Sequence, residues 1–103
     1  MTSHFTTLAA DHKARLGVSW HWSAVTGIGG LYRAKTAPKG NGAIAMREIC
    51  ALADRLGATL TLGTSIERLK PYYESFGFRR TRDFPMDAHI TSFFARQPQE
   101  QGR

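Results

Sequence analysis

The chain has 103 residues, 42% of them hydrophobic, with a net charge of +6 and a pI near 10.1. That is enough for one small core, expected over residues 1–96 with a polar, disordered tail at 97–103. No apolar run is long enough for a bilayer span or a signal-peptide core. The lone cysteine, Cys50, rules out an internal disulfide framework, so a reducing cytoplasm is the expected compartment.

Residues 7–16 suit a short helix stopped by Gly17, the residue type that accepts a left-handed C-terminal cap. Val18, Trp20, Trp22 and Ala24 then alternate with Ser19, His21 and Ser23, the period of a strand. The segment TGIGG, 26–30, reads as a turn, and 31–36 as the returning strand. After Gly42 the spacing of Ile44, Ala45, Ile49, Leu52, Ala53 and Leu56 is helical, and Gly57 closes it. Residues 58–64 read as a buried strand. TSIE, 64–67, fits a capping box, with the Thr64 hydroxyl on the Glu67 amide and the glutamate reaching back. Pro71 predicts a kink or a fresh helical turn. FGFRRTRDF and HITSFFAR complete the chain as two strands. The expected fold is α/β, an α+β arrangement of order (α)ββαβαββ with one mixed sheet and a right-handed strand–helix–strand crossover.

Charge is unevenly placed. No acid lies between Asp11 and Glu48, a span holding His12, Lys13, Arg15, His21, Arg33, Lys35, Lys39 and Arg47. A basic first half suits an anionic partner: a nucleotide cofactor, nucleic acid or an acidic protein. APKGNGAIAM, 37–46, lies inside it. Its Gly40-Asn41-Gly42-Ala43-Ile44-Ala45 matches the dinucleotide pattern G-x-G-x-x-A, but the following strand ends Leu62-Gly63-Thr64, without the acid that would hold a ribose. The segment is open to two readings, a flexible joint or a turn whose glycines let backbone amides at a helix start approach phosphate.

YYESFGF, 72–78, places a tyrosine four residues before a glycine at the end of a short helix entering a strand. This resembles the C-terminal signature of the GNAT superfamily of acetyl-CoA-dependent N-acetyltransferases. APKGNGAIAM resembles that family's pyrophosphate-binding turn, and the two motifs with the strand between them span roughly 31–94. The resemblance implies a GNAT-like domain abbreviated at its N-terminus, moving an acetyl group from acetyl-CoA to a primary amine of unknown identity. It implies that Lys39, Gly40, Asn41, Gly42 and Ala43 hold the pyrophosphate, with Ser65 a further cofactor contact. It also puts the donors to the acetyl carbonyl around Arg33, Ala34 and Lys35. Tyr73 takes the place of the acid that protonates the departing CoA thiolate. Ala37 stands where the family has Gln or Arg.

His21 is the base candidate by elimination, because histidine titrates near neutrality and the basic span holds no carboxylate; His12 and His89 stand behind it. Trp20 and Trp22 suit a core, or one of them an acceptor cleft. No grouping has metal-ligand spacing, so acetyl-CoA is the expected co-substrate and no metal is expected. No membrane partner is expected, and a homodimer completing the acceptor site is conceivable. Two other readings stay open: a catalytically degenerate module binding CoA or protein, and a small basic nucleic-acid-binding protein.

Overall fold

The computed structural model describes residues 3–24, 26–86 and 88–99. In chain order the elements are α1 (His4–Leu16), β1 (Val18–Ser23), β2 (Gly27–Arg33), α2 (Asn41–Leu56), β3 (Leu60–Thr64), a 3₁₀ turn (Glu67–Leu69), α3 (Lys70–Glu74), β4 (Arg79–Met86) and β5 (His89–Arg96). The order is the expected one and the class is α+β. The sheet is not the expected one: β1–β2 form one antiparallel sheet and β3–β5–β4 another. β2 pairs with β1 and β3 with β5, so the strands flanking α2 belong to different sheets and make no crossover within one. The chain divides into two compact units, Met1–Leu52 and Ala53–Arg103.

In the first unit, α1 begins three residues before the expected start. Ser3 caps it, its Oγ accepting from the Thr6 amide at 3.0 Å. Gly17 ends it at φ 67°, and the following residue opens β1. The burial of Val18 and Trp20 follows the period of two. Phe5 on α1 stacks on Trp22 with ring centroids 4.3 Å apart.

The hairpin corrects the reading of residues 26–30 as a turn. Gly27, Gly29 and Gly30 belong to β2, the strand ends at Arg33 rather than residue 36, and Ser23, not Ala24, is the last residue of β1. Gly29 and Gly30 serve cross-strand room rather than chain reversal. His21 pairs with Gly29, and a Cβ built on Gly29 would sit 2.5 Å from the His21 Nε2. Gly30 adopts φ 62°, where L residues are strained, opposite an irregularity between Ser19 and His21.

In the second unit one face of the sheet carries Leu60, Leu62, Ser92 and Phe94, all buried, together with Phe78 and Tyr73. Tyr73 packs on the rings of Phe78 and Phe94, with centroids 6.1 and 6.2 Å away. A second buried feature is ionic. Arg96 donates to both carboxylate oxygens of Asp54, at 2.7 and 3.2 Å, and through Nε to the Phe76 carbonyl at 2.7 Å. Asp54 also accepts from the Gln99 amide at 2.8 Å, and Thr59 bonds Gln97 at 3.0 Å. Residues 97–99 are therefore tied down rather than frayed, and the rest of the expected tail lies outside the described residues.

The capping box does not form. The Thr64 hydroxyl accepts from the Ile66 amide at 3.1 Å, one residue short of Glu67, and the Glu67 carboxylate pairs with Lys70. An ammonium donor one turn ahead outcompetes a backbone amide for the glutamate. Pro71 stands in the first turn of α3, directly after the 3₁₀ turn, as its missing N–H predicts.

Candidate functional site

The glycine turn is built in the first unit from the strand end upward. The Ala34 amide donates to the Gly17 carbonyl at 2.8 Å, and the Ala37 amide to the Ala34 carbonyl at 3.0 Å. The Arg33 guanidinium donates to the carbonyls of Ala34 and Ala37. Residue 17 is glycine for a visible reason: a Cβ there would come within 2.8 Å of the Ala37 methyl. The turn thus seats Ala37 on the left-handed cap of α1. Asn41 then ties the start of α2 to the end of α1, its Nδ2 donating to the Leu16 carbonyl at 2.8 Å.

Two consequences bear on anion binding. Arg33 and Ala34, expected as cofactor contacts, turn the guanidinium Nη1 and the backbone amide into the turn. Lys35 and Lys39 remain exposed. At the helix start, the Asn41 amide reaches the Pro38 carbonyl at 3.3 Å and the Ile44 amide the Gly40 carbonyl at 3.0 Å. The intervening amides of Gly42 and Ala43 fall in the first turn, where no preceding helical carbonyl exists for them. A Cβ on Gly40 or Gly42 would meet nothing within 4 Å, so the backbone lies open here. Gly40 adopts φ 96°, a conformation that glycine supplies at no steric cost. Ser65, in the loop after β3, is exposed.

Tyr73 belongs to the second unit. Its ring is buried, and burial raises its phenol above the ordinary range, with Tyr72 adding a smaller push in the same direction. Its hydroxyl makes no hydrogen bond among the described residues. The tyrosine therefore combines a ring fixed by Phe78 and Phe94 with a phenol that burial keeps protonated. Gly77, four residues on, adopts φ 95°, and a Cβ there would lie 3.3 Å from the Arg96 Nε. The glycine of YYESFGF is thus required by the chain reversal and by the buried arginine behind it.

His21 is exposed on β1, with its ring over Gly29 and Gly30. His89 is exposed at the start of β5. His12 has a partner set that sequence spacing did not disclose. Its side chain is 0% exposed, its Nδ1 lies 2.9 Å from the Trp20 Nε1, and its Nε2 lies 2.9 Å from a Glu48 carboxylate oxygen. An indole can only donate, so Nδ1 accepts and the imidazole proton sits on Nε2, pointing at Glu48. Both ring nitrogens are committed and His12 has no lone pair left for general-base work. Trp20 is accordingly a core residue with a bonded N–H.

Arg15 completes the group by donating to Glu48 and to Asp11, the latter at 2.9 and 3.1 Å. Its hydrogen bond, and secondly that of His12, hold the Glu48 carboxyl below the ordinary range. Asp11, His12 and Glu48 offer atoms within 4.8 Å of one another, a metal-like grouping assembled across 36 residues that linear spacing had not shown. The Arg15 guanidinium bridges both carboxylates and both nitrogens of His12 are bonded, so the imidazole has no lone pair left for a metal ion. No residue type in the sequence flags this cluster, because its members lie on α1, β1 and α2.

No helix among the described residues is long and apolar enough to cross a membrane. Comparison with known proteins finds no family model that matches the chain and no similar curated protein.

Proposed function

We propose that the chain is an N-acetyltransferase of GNAT type that moves an acetyl group from acetyl-CoA to a primary amine. The observation that carries this reading is the start of α2: two first-turn amides beside glycines with no steric cover, flanked by exposed Lys35 and Lys39. Such a turn suits a pyrophosphate, because unpaired N–H groups and the helix dipole both favour negative charge. Tyr73 supports the same reading from the second unit, as a phenol that burial keeps protonated.

In this proposal the acceptor amine attacks the thioester carbonyl, the carbon–sulfur bond breaks, and Tyr73 gives its proton to the departing sulfur. Of the strand-end donors, Lys35 keeps the backbone amide for the acetyl oxygen, since that of Ala34 is bonded to Gly17. The acceptor loses its own proton to water or to His21.

Calorimetric titration with acetyl-CoA tests the first role. Wild type binds, and Gly42→Val weakens binding at least tenfold by placing a branched side chain over the open amides; no heat with wild type refutes the proposal. For the second role, thiol release is followed with Tyr73→Phe. Turnover falls about 10²–10⁴-fold, the span of general acid catalysis, at nearly unchanged acetyl-CoA affinity. Undiminished turnover removes Tyr73 from that role.

One observation favours a second reading, a CoA-binding module without turnover. Arg33 and Ala34 are committed to the turn, and both nitrogens of His12 are engaged. Acetyl-CoA binding with no thiol release for any amine acceptor would establish it.

A further inference from the structure

The three-stranded sheet of the second unit has a second face, opposite Leu60, Leu62 and Phe94, and it is exposed. The register places Thr61 and Gly63 of β3 beside Ala95 and Phe93 of β5, and these beside Arg79 and Arg82 of β4. Phe84 follows on the same face, opposite Thr91. Arg79 and Arg82 are three positions apart and in a regular strand would point to opposite faces. The irregularity between Arg80 and Arg82 adds one residue, Thr81, and brings both arginines to this side. The Thr81 hydroxyl donates to the Phe93 carbonyl at 3.1 Å, which secures the bulge.

Two aromatic rings stand on this face. Phe93 is 41% exposed and lies across Gly63, where a Cβ would come within 3.0 Å of the ring; the missing side chain gives the ring its seat. Phe84 is 45% exposed, with the Arg82 guanidinium carbon 5.6 Å from its ring centroid. Among the described residues no acid shares the face. Asp83 projects to the other side, where it bonds Ser92 at 2.6 Å, and Arg80, also on that side, covers the Phe94 ring. The described surface therefore offers two cations and two open rings, on a chain of net charge +6.

We propose that this face binds single-stranded nucleic acid, with bases stacked on Phe93 and Phe84 and phosphates on Arg79 and Arg82. Exposed rings interleaved with arginine on an antiparallel sheet supply both forces such a strand needs, stacking on any base and attraction to the backbone. Self-association through the same face would set these arginines against their own copies. The site uses the second unit alone and is independent of the acetyl-CoA proposal.

Fluorescence anisotropy with labelled dT15, rU15 and a 15-base-pair duplex, at 50 and 200 mM salt, tests it. Both single strands bind more tightly than the duplex, and a preference between them tells DNA from RNA. Phe93→Ala weakens single-strand binding about tenfold, and Phe84→Ala acts in the same direction. Arg79→Gln and Arg82→Gln each lower the log–log salt slope by about 0.7. All four positions are exposed, so circular dichroism shows these variants folded; should Phe93→Ala not fold, Arg82→Gln and Phe84→Ala carry the test. Any of four results overturns the proposal: no binding of either strand at 50 mM salt, equal affinity for duplex, wild-type affinity in both phenylalanine variants, or a dimer in light scattering that Phe93→Ala dissociates. Acetyl-CoA affinity of the four variants stays at the wild-type value, which keeps this outcome separate from that of the catalytic proposal.

Discussion

Replacing His12 should reveal a coupling that no single substitution can show. The imidazole is fully enclosed, and it accepts from Trp20 while donating to Glu48. His12→Leu keeps most of the volume but leaves the Trp20 indole N–H facing an apolar group, and a buried unpaired donor costs about 1–3 kcal/mol. Trp20→Phe has the mirror effect, stranding the Nδ1 lone pair and losing the volume of one ring. In the double variant neither polar group remains, so the stranding penalty disappears while the packing loss persists. The loss in the double variant is therefore smaller than the sum of the single losses by about 2–6 kcal/mol, one penalty of about 1–3 kcal/mol from each single variant. Urea unfolding followed by far-ultraviolet circular dichroism measures it without relying on the altered tryptophan. Against a typical domain stability of about 5–15 kcal/mol, each single loss is easily resolved. Additivity within about 0.5 kcal/mol would refute the bond and with it the assigned tautomer. His12→Asn adds a check, because an amide oxygen can take over the role of Nδ1 and should recover part of the loss.

Other outcomes follow from particular contacts. Arg96→Met takes the charged fork away from a largely buried Asp54 carboxylate and the donor away from the Phe76 carbonyl, and should cost about 3–5 kcal/mol; Arg96→Lys should recover little, since an ammonium cannot reproduce the fork. Thermal melts of the two variants decide it, and wild-type stability in either contradicts the ionic account. The Glu48 carboxyl is depressed in the fold, so its contribution to stability is complete above the ordinary glutamate value of 4.5 and disappears as pH falls through its lower folded value. Glu48→Gln should flatten that part of the acid-unfolding profile, and an unchanged profile would show that the carboxylate is not held by Arg15 and His12. Gly30→Ala should lose about 1 kcal/mol at its positive φ. Gly29→Ala should be costly only while His21 is present and nearly neutral in a His21→Ala background. Equal costs for Gly29→Ala in both backgrounds would contradict the cross-strand clearance.

Local signals in the sequence were faithful where one residue decides a conformation alone. Gly17 and Gly57 both take the left-handed form, at 67° and 65°, and α2 and the buried face of β1 follow their periods. Pro71 lies in the first turn of its helix. Signals failed where a distant group competes. TGIGG has a turn's composition, yet its glycines answer to the ring of His21 on the neighbouring strand. Thr64 and Glu67 have capping-box spacing, yet Lys70 takes the glutamate. The partition into two antiparallel sheets had no local signature, because hydrophobic period fixes which side of a strand is buried and not which strand lies beside it. Among the candidate site residues, a Cβ on Gly40 or Gly42 would meet nothing within 4 Å, and Tyr73 is held by aromatic rings. The commitment of Arg33 and Ala34 to carbonyl groups of the turn was invisible, since it depends on where α1 ends. The network around His12 was invisible for the same reason, being assembled from residues 11, 12, 15, 20 and 48.

The contact between Gly17 and Ala37 has a consequence for how such a chain can change over generations. A methyl group at 37 fits only because nothing projects from 17, and residue 17 must also hold a positive φ. A Cβ at 17 finds space only if the turn lifts from the end of α1, which costs the bond between the Ala34 amide and the Gly17 carbonyl. Among descendants of this chain, a side chain at 17 should therefore arrive only with a glycine at 37 or an altered length between 33 and 40.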